Sequence, residues 1–129
     1  MRPILVVVGD SRIKNFEVKQ EAKGQPTDYD CIFKCKRGAR VEDLDCFIPQ
    51  LKQQFGRDRQ FFIAICGGIN NFTINQSNSG KPEVVPDSNT EVQDVYDKID
   101  VLRSLYKWAF PNSIVTIATV APINLLAYN

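Results

Sequence analysis

The sequence contains no histidine. Any reaction that needs an imidazole as its proton acceptor is therefore outside the reach of this chain as it stands. Excess charge is lacking as well. There are 16 Lys and Arg against 15 Asp and Glu, a net charge of +1, so no global field of either sign is available to steer a polyanion. Long apolar runs are missing. Ile4 to Val8 and Phe61 to Cys66 both fall far short of the roughly 20 residues a membrane span needs. The apolar stretch after Arg2 is too short for a secretory signal, so an intracellular location is expected. There is no Cys-x-x-Cys pair and no Cys/His cluster, so no metal site and no cofactor are expected. The four cysteines, Cys31, Cys35, Cys46 and Cys66, are expected to be buried reduced thiols, three of them inside apolar runs. Cys31 and Cys35 fall on one face of an expected strand. At about 3.3 Å per residue their backbones are too far apart to be bridged.

What is present is ordinary for a globular protein. The chain has 129 residues, 43% hydrophobic and 24% charged, which suits one domain over 1–129. Ile4 to Val8 is an unbroken aliphatic run and predicts a strand buried on both faces. Residues 12–24 predict a short helix, with Ile13, Phe16 and Val18 or Gln20 on one side, ending before Gly24. Tyr29 to Lys36 predicts a second strand. In 41–55, Leu44, Ile48, Leu51 and Phe55 keep helical spacing, and Pro49 breaks that helix or opens a second one. Gln60 to Cys66 predicts a third strand and 72–87 a polar loop. Ser88 and Glu91 have capping-box spacing. They predict the start of an amphipathic helix with Val92, Val95, Ile99, Leu102, Leu105 and Ala109 on one face, ended by Pro111. Tyr106, Trp108 and Phe110 are expected to pack in the core or at an interface. Ile114 to Val120 predicts a fourth strand. The order β-α-β-α-β-α-β predicts a three-layer α/β sandwich with a parallel sheet, of flavodoxin-like type.

In such sheets the chemistry gathers beyond the carboxyl ends of the strands. Gly9-Asp10-Ser11 puts a hydroxyl on the first of these turns. Ser11 is a candidate nucleophile, and the plainer alternative is that Asp10 or Ser11 caps the following helix. Gly38 follows the second strand and can offer an unobstructed N–H; otherwise it is an ordinary turn glycine. Asn70 follows the third strand and offers an amide donor suited to an oxyanion; otherwise it is a turn asparagine. Each signal is weak alone. Their joint placement at three consecutive strand ends is what raises them.

With these blocks in order, the chain resembles the SGNH, or GDSL-type, hydrolase family. Val8-Gly9-Asp10-Ser11 is similar to its first block. Arg37-Gly38-Ala39-Arg40 is similar to its second, and Gly68-Ile69-Asn70-Asn71 to its third, with Asn71 where the family usually has aspartate. The wording of the Gly-Asp-Ser-Arg and Gly-Ile-Asn-Asn blocks is close to esterase domains of invertebrates and retroelements. The resemblance implies Ser11 as nucleophile, with the backbone at Ser11, Gly38 and Asn70 forming an oxyanion hole for a small ester. It also implies a last block, Asp-x-x-His, that this sequence does not have. The chain is therefore expected to be a hydrolase domain shortened at its C-terminus, and inactive or nearly so without its base.

A second function class stays open. Lys36, Arg37 and Arg40 cluster after the second strand, and Arg12 follows the first. The first 60 residues carry 12 basic and 9 acidic residues, the rest 4 and 6. Such a rim could meet a nucleic acid or protein partner in a non-catalytic binding module, or be merely solvated. A sheet ending at its fourth strand would also leave an edge uncovered, which invites a homo-oligomer. Asn71-Phe72-Thr73 and Asn75-Gln76-Ser77 match glycosylation acceptors and are read as chance.

Overall fold

The computed structural model describes residues 2–24, 28–78, 81–87 and 89–118. Strand β1 (Ile4–Gly9) runs into a 3-10 turn at Ser11–Ile13 and then helix α1 (Lys14–Lys23). Strand β2 (Asp30–Cys35) leads through a 3-10 segment, Val41–Phe47, into helix α2 (Ile48–Phe55). Pro49 lies in the first turn of α2, where its missing N–H costs nothing. Strand β3 (Phe61–Cys66) is followed by a 3-10 turn at Ile69–Asn71, then strands β4 (Thr73–Asn78) and β5 (Lys81–Pro86). Helix α3 (Val92–Ala109) and strand β6 (Ile114–Ile117) follow.

Four strands form one parallel sheet in the order β2-β1-β3-β6, an α/β arrangement compatible with a flavodoxin-like layout. β1 is central, with Gly9 level with Cys35 on one side and Cys66 on the other. The first crossover runs one way along the sheet and the later ones the other way. Crossovers of one hand then place α1 on the face opposite α2 and α3.

The two faces are filled unequally. Ile4, Val6 and Val8 of β1, Phe61, Ile63 and Ile65 of β3, and Val115 of β6 point to one side and are buried. They meet Leu44, Leu51, Leu102 and Tyr106 from the 3-10 segment, α2 and α3. Phe61 sits edge-on to Phe55 and Phe110, with ring centroids 5.4 and 5.1 Å apart. Each such side chain is worth about 1.5–3 kcal/mol on burial. On the other face Phe62 and Ile114 are exposed, and α1 buries none of its residues. The expected apolar side of that helix is thus not a packed one. Ile13 is buried beneath the preceding turn, but Phe16 and Val18 are in water.

Three further expectations change. The polar loop expected at 72–87 contains an antiparallel hairpin, β4 with β5, pairing Thr73 with Pro86 through Asn78 with Lys81. Its Asn, Gln and Ser residues have low strand propensity and are mixed with Ile74, Val84, Val85 and two prolines, so no strand pattern announces it. Helix α3 begins at Val92 with Glu91 as N-cap and no side-chain capping bond; Ser88 lies outside the described residues. Asp87 instead accepts from the Asn89 N–H and the Thr90 hydroxyl. The buried face of α3 is Val95, Ile99, Leu102, Tyr106 and Ala109, while Val92 and Leu105 are exposed. Of the three aromatic residues near its end, Tyr106 and Phe110 are buried as expected, but Trp108 is 71% exposed. The expected strand segment at 119–120 lies outside the described residues.

All four cysteines are free, but none is fully buried, and Cys46 is exposed. Burial still pushes the Cys31, Cys46 and Cys66 thiols above their ordinary value of 9.0. Burial also pushes the Tyr106 phenol far above its ordinary 10.0, with nearby Cys46 and Asp45 adding to the rise. Its hydroxyl donates to the Leu44 carbonyl and so fastens the 3-10 segment to α3. Among the described residues no helix is long and apolar enough to cross a membrane.

Two outcomes follow. Tyr106→Phe leaves the Leu44 carbonyl without its donor and should cost about 1–2 kcal/mol, read as a lower urea midpoint with an unchanged slope. The raised thiol and phenol values mean that the folded state holds protons the unfolded chain gives up. Their stabilising contribution is complete below pH 9 and is lost as pH rises further. The melting temperature in reducing buffer should be level up to about pH 8 and fall above pH 9; a level or rising curve through pH 11 contradicts this.

Candidate functional site

Gly9 closes β1 where the chain is most crowded. A Cβ there would meet the Cys66 carbonyl oxygen at 2.3 Å and the Ile13 Cγ2 at 2.8 Å. Only glycine lets the turn after β1 lie this close to the end of β3. The Gly9 carbonyl accepts from the Lys36 N–H at 3.1 Å, which ties the same turn to the end of β2. The three strand ends are thus held at one level by backbone contacts alone.

Asp10 is the N-cap of the 3-10 turn and is 1% exposed. Its carboxylate accepts from the Arg12 backbone N–H at 3.0 Å and from the Arg12 guanidinium at 3.1 and 3.2 Å. The capping alternative therefore holds for Asp10. Ser11, the candidate nucleophile, is the first residue of the turn and is half-buried. Its hydroxyl makes no hydrogen bond among the described residues. Close by, burial and the Asp10 charge raise the Cys66 thiol, and Arg12 offsets part of that rise. Cys66 thus stays a neutral thiol at pH 7 and a poor nucleophile.

Gly38 is exposed at φ +68°, the left-handed region that favours glycine. Its N–H has no partner among the described residues, while the next residue, Ala39, donates to the Lys36 carbonyl. Asn70 sits in the 3-10 turn after β3, and its Nδ2 donates to the Ala39 carbonyl at 2.9 Å. That bond brings the loop after β2 and the loop after β3 together. A primary amide has two N–H groups, so one remains for a ligand.

Asn71 is the residue whose role the sequence pattern does not reveal. It is 1% exposed. Its Oδ1 accepts from the Val41 N–H at 2.9 Å, and its Nδ2 donates to the Glu42 carboxylate at 2.9 Å. Glu42 in turn pairs with Lys98 of α3 at 3.6 Å. A carboxylate at 71 could accept from Val41 but could not donate to Glu42, and like charges would face each other. Asn71 is here a structural clamp, and a buried one, unsuited to carry a glycan.

No family model matches the chain, and no curated protein matches it in sequence.

The basic rim is only partly assembled. Lys36 and Arg37 are exposed, and Arg40 is half-buried. Arg12 gives its guanidinium to Asp10, with 32% of its side chain still in solvent. Among the described residues no group of three or more Cys, Asp or Glu is disposed to hold a metal ion.

Arg12→Ala should leave a buried carboxylate with one backbone donor only. The expected loss is about 2 kcal/mol, discounted from the range for fully buried pairs because Arg12 itself reaches solvent. Lys36→Ala and Arg37→Ala should each stay within about 0.5 kcal/mol of wild type in the same denaturation assay.

Proposed function

We propose that this chain is a serine ester hydrolase scaffold of the SGNH kind that lacks its proton acceptor. It would receive a small acyl ester at the rim formed by Ser11, Gly38 and Asn70. The Ser11 hydroxyl would attack the acyl carbon, forming the new C–O bond as the carbonyl electron pair moves onto oxygen. The oxyanion would take hydrogen bonds from the Gly38 N–H and from the second Asn70 N–H. Collapse would release the alcohol and leave an acyl-serine for water to hydrolyse.

The observation that supports this reading is the Asn70 to Ala39 hydrogen bond, which ties the turn after β3 to the residue that follows Gly38. The weak step is proton removal. Asp10, the nearest carboxylate in sequence, is already engaged by three Arg12 donors. With no histidine in the chain, the serine proton has only solvent to go to. Oxyanion stabilisation and binding without a complete triad leave about 10³–10⁴-fold catalysis over water.

A second reading is a non-catalytic binding module for nucleic acid or a protein on the same rim. The exposed side chains of Lys36 and Arg37 favour it, and the loss of Arg12 to Asp10 weakens it.

Chemical rescue tests the first reading. Hydrolysis of p-nitrophenyl acetate by wild type should exceed that of Ser11→Ala by no more than about tenfold. Added free imidazole should then raise the wild-type rate above the imidazole background, and should not do so for Ser11→Ala. Fast turnover without imidazole contradicts the inactive state. Rescue that ignores Ser11 removes the hydrolase reading.

A further inference from the structure

The opposite end of the sheet carries a feature that the rim does not explain. Helix α3 runs antiparallel to the strands, so its last turn lies at their amino ends. Trp108 in that turn is 71% exposed, the highest exposure recorded among the large apolar residues. It lies off the buried face that Leu102, Tyr106 and Ala109 define. Two cations flank it: Lys52 Nζ lies 5.4 Å and Arg57 Cζ 5.9 Å from the ring centroid.

Beside it opens a cavity of about 860 Å³ lined by Arg57, Arg103, Lys107 and Trp108, with Asp100 as the one carboxylate of its lining. Arg57 and Arg103 make no ion pair among the described residues. Lys107 donates to the Pro111 and Ser113 carbonyls at 3.0 and 2.6 Å, so its stem is fixed while its charge stays at the groove. A second cavity of about 710 Å³ shares Arg57 and adds Arg2, Arg59 and Asp58. The two linings together hold five cations against two carboxylates, in a chain whose net charge is only +1, and of the five Arg2 is already paired with Asp30 at 3.3 Å. This edge concentrates like charge, and an anion relieves it.

We propose that this amino-end groove binds single-stranded nucleic acid, with an unpaired base stacked on Trp108 and the backbone phosphates on Arg57, Arg103 and Lys107. An exposed aromatic ring with Lys52 and Arg57 over it, which a base can displace toward its phosphates, suits a nucleotide better than an acidic peptide, because every base has a π-face and every link a phosphate. Guanidinium groups match phosphate oxygens two at a time. Arg103 and Lys107 stand about one helical turn apart, roughly 6 Å along the axis, so both can follow one strand. Duplexes keep their bases stacked inside and cannot use the indole. The proposal stands apart from the rim chemistry and survives its failure.

Trp108 is the only tryptophan of the chain, so its fluorescence reports the site directly. The full chain is titrated with a 15-nucleotide oligo-dT and with oligo-U, following tryptophan quenching and the anisotropy of the labelled strand. Both should change on one curve, and affinity should fall steeply between 50 and 200 mM salt. Trp108→Ala should weaken binding about tenfold yet keep the salt dependence. Arg57→Ala with Arg103→Ala should weaken it by about tenfold and flatten the salt slope. Lys36→Ala with Arg37→Ala should bind as wild type. These residues are exposed, and the variants are expected to fold. Absence of binding overturns the proposal. So does binding that is lost with the rim pair and indifferent to Trp108, or quenching by poly-glutamate as strong as by oligo-dT.

Discussion

Gly9 has room for a hydrogen and nothing larger. Its Cα faces the Cys66 carbonyl across a gap that any side chain would fill, and on its other flank its own carbonyl holds the Lys36 N–H. Because β1 pairs in register with both neighbours, this single point of close approach sets the level at which three loops leave the sheet. The turn bearing Ser11, the loop bearing Gly38 and the turn bearing Asn70 all depart from it. A different residue at position 9 would push the first turn away from the third, and no side-chain rotamer could restore the approach.

The loops are then locked by polar groups in addition to the core packing of Ala39, Val41, Leu44 and Phe47. Asn70 reaches Ala39, and Asn71 reaches Val41 and Glu42. Tyr106 reaches Leu44 from below. Together these bonds hold the irregular stretch from Gly38 to Phe47 against α3 and the end of β3. The hydrophobic core lies under that stretch on one face of the sheet only. The other face keeps Phe62 and Ile114 in water beside a helix that buries none of its residues. Rigidity therefore belongs to the side of the molecule that carries the Gly38 and Asn70 loops.

Much of this was legible in the residue pattern. The aliphatic runs at Ile4–Val8 and Phe61–Cys66, separated by helical spacing, announce a parallel sheet, and the turn residues announce its carboxyl edge. Four things were not legible. The β4–β5 hairpin mixes polar residues and two prolines with Ile74, Val84 and Val85, so no strand pattern announces it. Arg12 looked like part of a basic rim because sequence shows its charge but not the buried carboxylate two residues before it that claims the guanidinium. The pattern around Trp108 allows the core or an interface and does not say which; the ring is 71% exposed. The geometry of Asn71 was hidden for a simpler reason: both ends of its amide find partners about thirty residues away.

The two ends of the sheet offer different chemistries. The carboxyl end presents a hydroxyl, a bare amide and a carboxamide, with Lys36 and Arg37 exposed in the loop that carries the amide; the amino end presents an indole among cations. The central claim concerns the first of these: that three neutral groups serve one oxyanion. NMR titration with phenylboronic acid, whose boron becomes tetrahedral on a serine oxygen, tests it most directly. The account predicts that the backbone amides of Ser11 and Gly38 and the side-chain amide of Asn70 shift together along one saturation curve. It is contradicted if Ser11 alone responds, or if the three signals follow separate curves.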